Sequence, residues 1–68
     1  MSFIKLTKVN GDPVVIRSED VYGVEIKSLL QEQYKNRTHV RTDPHEEWAG
    51  YFVRETVEEV LEQLNPKK

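Results

Sequence analysis

The pattern of hydrophobic and polar positions is most regular in the last third of the chain. Four apolar residues recur there at i, i+3, i+4 and i+7, and they are Val57, Val60, Leu61 and Leu64. This spacing places them on one face of a helix. Thr56 and Glu59 have the spacing of a capping box, in which each side chain accepts a hydrogen bond from the other residue's backbone N–H. We therefore predict that the apolar run 51–54 ends a strand and leads into a capped helix that ends at Asn65-Pro66.

Alternating apolar and polar residues predict strands in the rest of the chain. Ile4 and Leu6 alternate with polar neighbours, and Asn10-Gly11 supplies the positive-φ residues of a tight turn before the next apolar run. The N-terminal part is therefore predicted to be a β-hairpin. The strands predicted in this way cover 3–9, 14–17, 21–27, 38–42 and 48–54.

The segment 28–35 fits two conformations. Ser28 and Gln31 have capping-box spacing, and Leu29, Leu30 and Tyr34 fall on one helical face together with Ile26. A helical turn or short helix therefore competes with an extended end of the third strand.

These elements predict an α+β fold in which residues 1–68 form a single small domain. An antiparallel sheet of about five strands begins with the hairpin, and one C-terminal helix packs on one face of the sheet. By strand parity, the core is predicted to contain the helical stripe together with Ile4, Leu6, Val14, Ile16, Val24, Ile26, Val40 and either Phe52 or the pair Tyr51 and Val53.

The predicted fold leaves apolar surface without cover. One helix shields only one face of the sheet, so Phe3, Val9 and Val15 are expected on the open face. A chain of 68 residues also buries too little surface to be more than marginally stable alone. We therefore predict a homo-oligomer.

Composition narrows the setting. The chain has no cysteine, so it has neither a disulfide framework nor a thiolate metal site, as is typical of a reducing compartment. The first residues lack the apolar core of a signal peptide, and no apolar run approaches the length of a membrane span. We expect a cytoplasmic protein that does not insert into a membrane.

Charge is unevenly distributed along the chain, although the formal net charge is only −2. Residues 27–41 contain four bases against one acid, whereas residues 43–62 contain seven acids against one base. The simpler explanation is that the glutamates occupy the solvated face and the first turns of the helix. The alternative is that oppositely charged faces meet, either in self-assembly or on another protein.

The basic segment suggests binding of RNA or DNA as one possible function. The residues that would contact nucleic acid are Lys27, Lys35, Arg37, His39 and Arg41, with Tyr34 among them as a stacking ring. A dedicated binder usually has a strongly basic pI, whereas the pI of this chain is about 5.6. Nucleic-acid binding is therefore the second choice.

Catalysis and metal binding have little support. His45 stands among Asp43, Glu46 and Glu47, with His39 across the hairpin, but a closed metal site needs about four convergent ligands. No Ser or Cys lies in a recognisable nucleophile motif, and a domain of this size has little room for a substrate cleft. We expect no catalytic residue, no metal and no cofactor.

A protein-interaction module is the preferred interpretation. Trp48 lies in a loop between Pro44 and Gly50, where an indole that cannot reach the core would be an exposed anchor. The alternative is that Trp48 folds back and caps the sheet or the helix end. Tyr34 has the same two interpretations, and His45 is the third candidate contact residue.

Three segments of the chain resemble the FlbD-type family of small bacterial flagellar and swarming-motility proteins. They are Ile4-Lys5-Leu6-Thr7-Lys8-Val9-Asn10-Gly11, the strand 21–26, and Tyr51-Phe52-Val53-Arg54-Glu55-Thr56-Val57-Glu58-Glu59-Val60. Together they cover roughly half of the chain in the same order as in the family. The chain departs from the family in a longer connection over 28–37 and in the loop 43–50, which replaces a tight Asn-Gly turn. The resemblance implies a non-enzymatic accessory protein that acts through contacts, on the flagellar motor or on its regulation.

Overall fold

The computed structural model describes residues 2–65 and confirms the α+β class. Its elements in chain order are β1 (Phe3–Thr7), β2 (Pro13–Arg17), β3 (Gly23–Lys27), β4 (Arg37–Arg41), β5 (Gly50–Val53) and α1 (Val57–Leu64). Two short 3-10 turns, Ser18–Asp20 and Glu32–Tyr34, precede β3 and β4.

The five strands are divided between two antiparallel sheets. The predicted hairpin pairs β1 with β2, and β3, β4 and β5 form the second sheet in that order. The sheets join at an isolated bridge between Lys8 and Val53, where the chain beyond β1 reaches the end of β5. Over most of its length, the edge of β1 that faces away from β2 is therefore not paired with a strand.

Side chains cover that edge of β1. The Gln63 carboxamide donates to the Lys5 carbonyl and accepts from the Lys5 N–H, both at 3.0 Å. The Glu55 carboxylate accepts from the Thr7 N–H at 2.9 and 3.0 Å. These two side chains replace ladder bonds that a neighbouring strand would make, and they satisfy backbone groups that would otherwise need water.

The backbone of the strand–helix corner, residues 53–56, continues the pairing. The Arg54 N–H donates to the Thr7 carbonyl at 2.8 Å, and the Val9 N–H donates to the Phe52 carbonyl at 3.2 Å. The Arg54 guanidinium donates to the Val9 carbonyl at 2.9 and 3.1 Å. The corner thus fastens the N-terminal hairpin to the three-stranded sheet.

Helix α1 begins with the predicted capping box. The Thr56 N–H donates to the Glu59 carboxylate at 2.9 Å, and the Glu59 N–H donates to the Thr56 hydroxyl at 3.1 Å. Asn65 is the C-terminal cap, and Pro66, which was predicted to end the helix with it, lies outside the described residues. No helix within residues 2–65 is long and apolar enough to cross a membrane.

The apolar stripe of the helix is narrower than predicted. Val60 is fully buried, and Val57 and Leu64 are partly buried. The inclusion of Leu61 in the core was wrong, because its side chain is 46% exposed. Leu61 lies about 100° around the helix from Val60, so a helix whose line of contact centres on Val60 turns Leu61 toward solvent.

The core lies between the sheets and the helix. Its buried members are Ile4, Leu6, Ile16, Val40, Val53 and Val60, with Val14, Val21, Val24, Tyr51 and Leu64 packed against them. Of the two parities considered for β5, the pair Tyr51 and Val53 faces the core. The assignment of Ile26 to the core was wrong, since it is 55% exposed. Ile26 is next to the last residue of an edge strand, where only one neighbouring strand shields it.

The limits of several elements differ from the prediction. The third strand begins at Gly23 rather than at Val21, and the last begins at Gly50 rather than at Trp48. In the ambiguous segment 28–35 the chain forms only the turn Glu32–Tyr34, closed by a hydrogen bond from the Leu29 N–H to the Tyr34 carbonyl at 3.2 Å. This closure ends β3 at Lys27 and leads the chain back into β4.

Two glycines lie in strands, Gly23 in β3 and Gly50 in β5. Gly50 is expected to tolerate replacement less well than Gly23. Its φ is +113°, and an added Cβ would overlap the Val40 carbonyl oxygen. Gly50→Ala should therefore lower the free energy of unfolding by more than about 2 kcal/mol, because left-handed strain and a backbone clash combine. Gly23→Ala is the control, since a Cβ there would meet only the Arg41 guanidinium at 3.7–3.9 Å. Urea denaturation measures both, and equal losses would contradict the prediction.

Replacement of Glu55 should weaken the junction between hairpin and sheet. Glu55→Ala leaves the part-buried Thr7 N–H without its carboxylate, and a hydrogen bond to a charged group contributes about 1.5–3 kcal/mol. We expect a loss in that range, and a smaller one for Glu55→Gln, which keeps one acceptor oxygen. Glu62→Ala, on the exposed side of the helix, should change stability by less than about 0.5 kcal/mol. A Glu55→Ala variant as stable as Glu62→Ala would show that the junction does not need this contact.

Candidate functional site

The three-stranded sheet has two faces of different character. Its inner face carries the core residues, and its outer face carries the alternate positions of each strand. Register places Glu25 of β3, His39 of β4 and Phe52 of β5 side by side on this outer face. Lys27, Arg37 and Arg41 belong to the same face by strand alternation. Four of the five residues predicted to contact nucleic acid are therefore neighbours there.

An aromatic cluster covers the centre of the outer face. It consists of Tyr34, His39, Trp48 and Phe52. The Phe52 ring is central, with its centroid 4.8 Å from His39 and 5.2 Å from Tyr34 in edge-on contacts. Trp48 stacks on Phe52 at 6.3 Å with 24° between the ring planes. Such pairs stabilise by about 0.5–1.5 kcal/mol each beyond the area that they bury. The cluster is therefore a second, smaller core on the opposite side of the sheet from the helix.

The loop 43–50 brings Trp48 onto this cluster. The Asp43 carboxylate accepts from the His45 N–H at 2.8 Å and from the Glu46 N–H at 3.1 Å, which turns the chain at the start of the loop. Gly50, with its positive φ, returns the chain to β5. Trp48 folds back over the outer face of the sheet rather than over the helix end, yet 51% of it stays exposed. The structure thus combines the two alternatives considered for this residue.

Lys27 attaches the loop to the edge strand. Its ammonium donates to the Glu47 carbonyl and lies 4.4 Å from the centroid of the Trp48 ring. The Glu25 carboxylate is 3.5 Å away and offsets the charge. Although it is a lysine, Lys27 is buried, because the carbonyl, the carboxylate and the indole face replace its water. The Lys27 ammonium is therefore in contact with three groups of the chain, which are the Glu47 carbonyl, the Glu25 carboxylate and the Trp48 ring.

His39 is enclosed by the cluster and has no exposed surface. Neither ring nitrogen makes a hydrogen bond of normal geometry with any of residues 2–65. Burial lowers the pKa of His39 below its ordinary value of 6.5, and the positive charge of Lys27 acts in the same direction. Nearby, the Trp48 backbone and the Glu25 carboxylate oppose this shift. The imidazole is therefore neutral at physiological pH and serves as a packed ring rather than as a solvent-accessible base or ligand.

The remaining basic candidates are engaged or lie elsewhere. The Arg37 guanidinium donates to the Gln33 carbonyl at 2.9 Å, and Lys35, in the turn before β4, is 3.5 Å from the Glu32 carboxylate. Arg41 extends across the neighbouring strand beside Gly23, with its Nε buried. Much of the positive charge that the sequence displays is thus used within the chain.

His45 is exposed in the loop and takes no part in the ring contacts of the cluster. Within residues 2–65, no three potential ligands among His, Cys, Asp and Glu lie close enough together to hold a metal ion.

Besides Trp48, the segment that leads to Tyr34 also exposes apolar side chains. Leu29 is 41% exposed and Leu30 is 98% exposed.

Sequence reasoning missed Phe52 as the centre of the site and Lys27 as the residue that attaches the loop. The signal for Phe52 was strand parity. Once Tyr51 and Val53 enter the core, Phe52 must point to the opposite face. Nothing local to Lys27, at the end of β3, could reveal its partner, since Glu47 lies in the loop 43–50, 20 residues further along the chain.

Searches against protein-family models, curated proteins and solved structures find no match for this chain. The function proposed below therefore rests on the geometry of the outer face.

Proposed function

We propose that this chain is a non-enzymatic protein-interaction module that contacts its partner through Trp48 on the outer face of the sheet. The single observation that carries the proposal is the state of the indole. It is half exposed, yet it is held in place by the Phe52 ring on one side and the Lys27 ammonium on another. A large aromatic group fixed in this way is a typical hot-spot anchor.

Preorganisation explains why such an indole suits an interface. An exposed side chain normally loses rotamer freedom when a partner binds, at a cost of about 0.5–1.5 kcal/mol. Trp48 has already lost that freedom, because the loop 43–50 and the stacked ring restrict it before binding. Binding would therefore lose less free energy to ordering of this side chain than it would with a freely rotating tryptophan.

The neighbourhood of Trp48 also favours contact over catalysis. His39, the titratable ring nearest to the indole, is buried, and the Lys27 ammonium is bound by the Glu47 carbonyl. Neither group can reach a substrate without displacing the loop. Leu30, fully exposed in the segment leading to Tyr34, adds apolar surface of the kind that binding covers.

Self-association is the first interaction that we propose, because this small chain leaves several large apolar side chains in solvent. They include Phe3, Val15, Ile26, Leu30, Trp48 and Leu61. The proposed setting is cytoplasmic and bacterial. A role in flagellar or motility regulation rests on the resemblance of three segments, 4–11, 21–26 and 51–60, to FlbD-type proteins.

Nucleic-acid binding is the second candidate. The observation that favours it is the placement of Lys27, Arg37 and Arg41 on the same face as the aromatic cluster, as on sheets that bind single strands. The burial and the contacts of these side chains weaken the case for nucleic-acid binding. The Lys27 ammonium is buried, Arg37 is bound to a carbonyl, and the Phe52 ring is covered by Tyr34 and Trp48. Protein contact therefore fits the outer face better.

Trp48→Ala should abolish self-association and leave the fold in place, because the indole packs outside the main core. Light scattering across a range of protein concentrations measures the mass, and far-UV circular dichroism checks the fold. Phe3→Ala is the matched control, since Phe3 is also an exposed aromatic residue, at 59%, but lies on the hairpin. It should leave the mass unchanged.

Three results would count against this surface. If Phe3→Ala dissociates the oligomer and Trp48→Ala does not, the hairpin is the contact. If Trp48→Ala unfolds the chain, Trp48 is primarily a core residue. A wild-type chain that is monomeric at every concentration would refute self-association and leave only a partner of different sequence.

The nucleic-acid alternative predicts retarded migration of mixed-sequence RNA or DNA in a gel at low salt, where phosphate contacts are strongest. We expect no shift. If a shift does occur, Arg37→Ala together with Arg41→Ala should weaken it if the outer face is responsible. Lys5→Ala together with Arg17→Ala, on β1 and β2 of the other sheet, removes the same number of charges and is the control. A shift that weakens only with the outer-face changes would favour the second candidate over the first.

A further inference from the structure

We propose that His39 is a pH-dependent latch for the loop 43–50, so that protonation of its imidazole opens the loop and releases Trp48 from the outer face. This inference concerns the same surface as the proposed function, but it does not depend on that surface being a contact site. It rests on the way in which the ring is enclosed.

The enclosure favours a neutral ring over a charged one, although the Trp48 backbone acts in the opposite direction. An imidazolium carries two N–H donors, and the described residues offer neither of them an acceptor of normal geometry. A charge there would also join the Lys27 ammonium from β3 and the Arg41 guanidinium from β4. Glu25 from β3 is the carboxylate that faces the ring, and it is already close to Lys27. Phe52 and Trp48 pack against the ring of His39 with aromatic surface.

The loop is the part of the enclosure that can yield. β3 and β5 flank His39 on both sides and are held to β4 by the backbone ladder. Trp48 is held by ring contacts and by one hydrogen bond from Lys27 to the neighbouring Glu47 carbonyl. Opening the loop would give a protonated His39 access to water without breaking the sheet.

The direction of the pH effect follows from linkage. With the loop closed, burial holds the pKa of His39 below 6.5, and with the loop open the pKa returns toward that value. The open form therefore binds the proton more tightly. Well above pH 6.5 both forms are neutral and closure has its full stability. As pH falls below that value, the opening equilibrium constant rises by up to about tenfold per pH unit, until the closed form also takes up the proton.

Trp48 reports the opening directly, because it is the single tryptophan of the chain. We expect its emission to shift to the red, and its quenching by acrylamide to increase, as the full chain is titrated from about pH 8 to about pH 5. Far-UV circular dichroism should stay constant over the same range. No change in emission would overturn the proposal, and so would a simultaneous change in circular dichroism, which would indicate global unfolding.

The chain provides a matched pair of variants, since its two histidines are His39 and His45. His39→Phe keeps a packed ring that cannot titrate and should remove the transition, whereas His45→Gln should retain it. The reverse result would overturn the proposal. Should His39→Phe fail to fold, proton NMR of the wild-type imidazole resonances decides. The pKa of His39 must lie below the ordinary histidine value of 6.5, and a His39 midpoint at or above that value would refute the latch.

Discussion

The whole structure depends on the hydrogen bonds between the strand–helix corner and the end of β1. A two-stranded hairpin is marginal alone in water, and the three-stranded sheet carries only one face of a core. Glu55 and Arg54 hold Thr7 and Val9, so the two sheets close over Ile4, Leu6, Val40 and Val53. The capping box at Thr56 then starts the helix that completes this enclosure. The consecutive residues Arg54, Glu55 and Thr56 thus join the N-terminal hairpin to the C-terminal part of the chain.

The same junction determines what the outer face contains. The bridge between Lys8 and Val53 brings β5 to β1 with Val53 turned toward the core, and strand alternation then turns Phe52 outward. Register sets Phe52 beside His39, and the loop 43–50 closes over both with Trp48. The aromatic cluster is therefore a consequence of how the core is closed. A change of one residue in the register of β5 would bury Phe52 and dismantle the candidate site.

Local signals in the sequence were sufficient for the elements and insufficient for the site. The capping box and the N-terminal hairpin involve residues a few positions apart, and both were predicted correctly, although of the two predicted turn residues only Gly11, and not Asn10, has a positive φ. Ile26 and Leu61 were misplaced because their burial depends on how far the sheet edge and the helix are shielded by distant parts of the chain. The alternatives for Trp48 could not be resolved either, since its position depends on Lys27 and Phe52, which approach it only after the sheet forms. Sequence analysis found several members of the outer face, but neither Phe52 as its centre nor the arrangement of the others around it.

The outer face also shows why charge along a sequence differs from charge at a surface. The basic segment 27–41 suggested free cations, but the structure uses Lys27 to hold a loop carbonyl and Arg37 to hold a turn. Enclosing Lys27 beside a histidine favours the neutral form of that histidine. The dry, rigid setting that preorganises Trp48 for contact is therefore the same setting that makes its loop sensitive to acid. Rigidity of the indole and neutrality of His39 are two aspects of one packing arrangement.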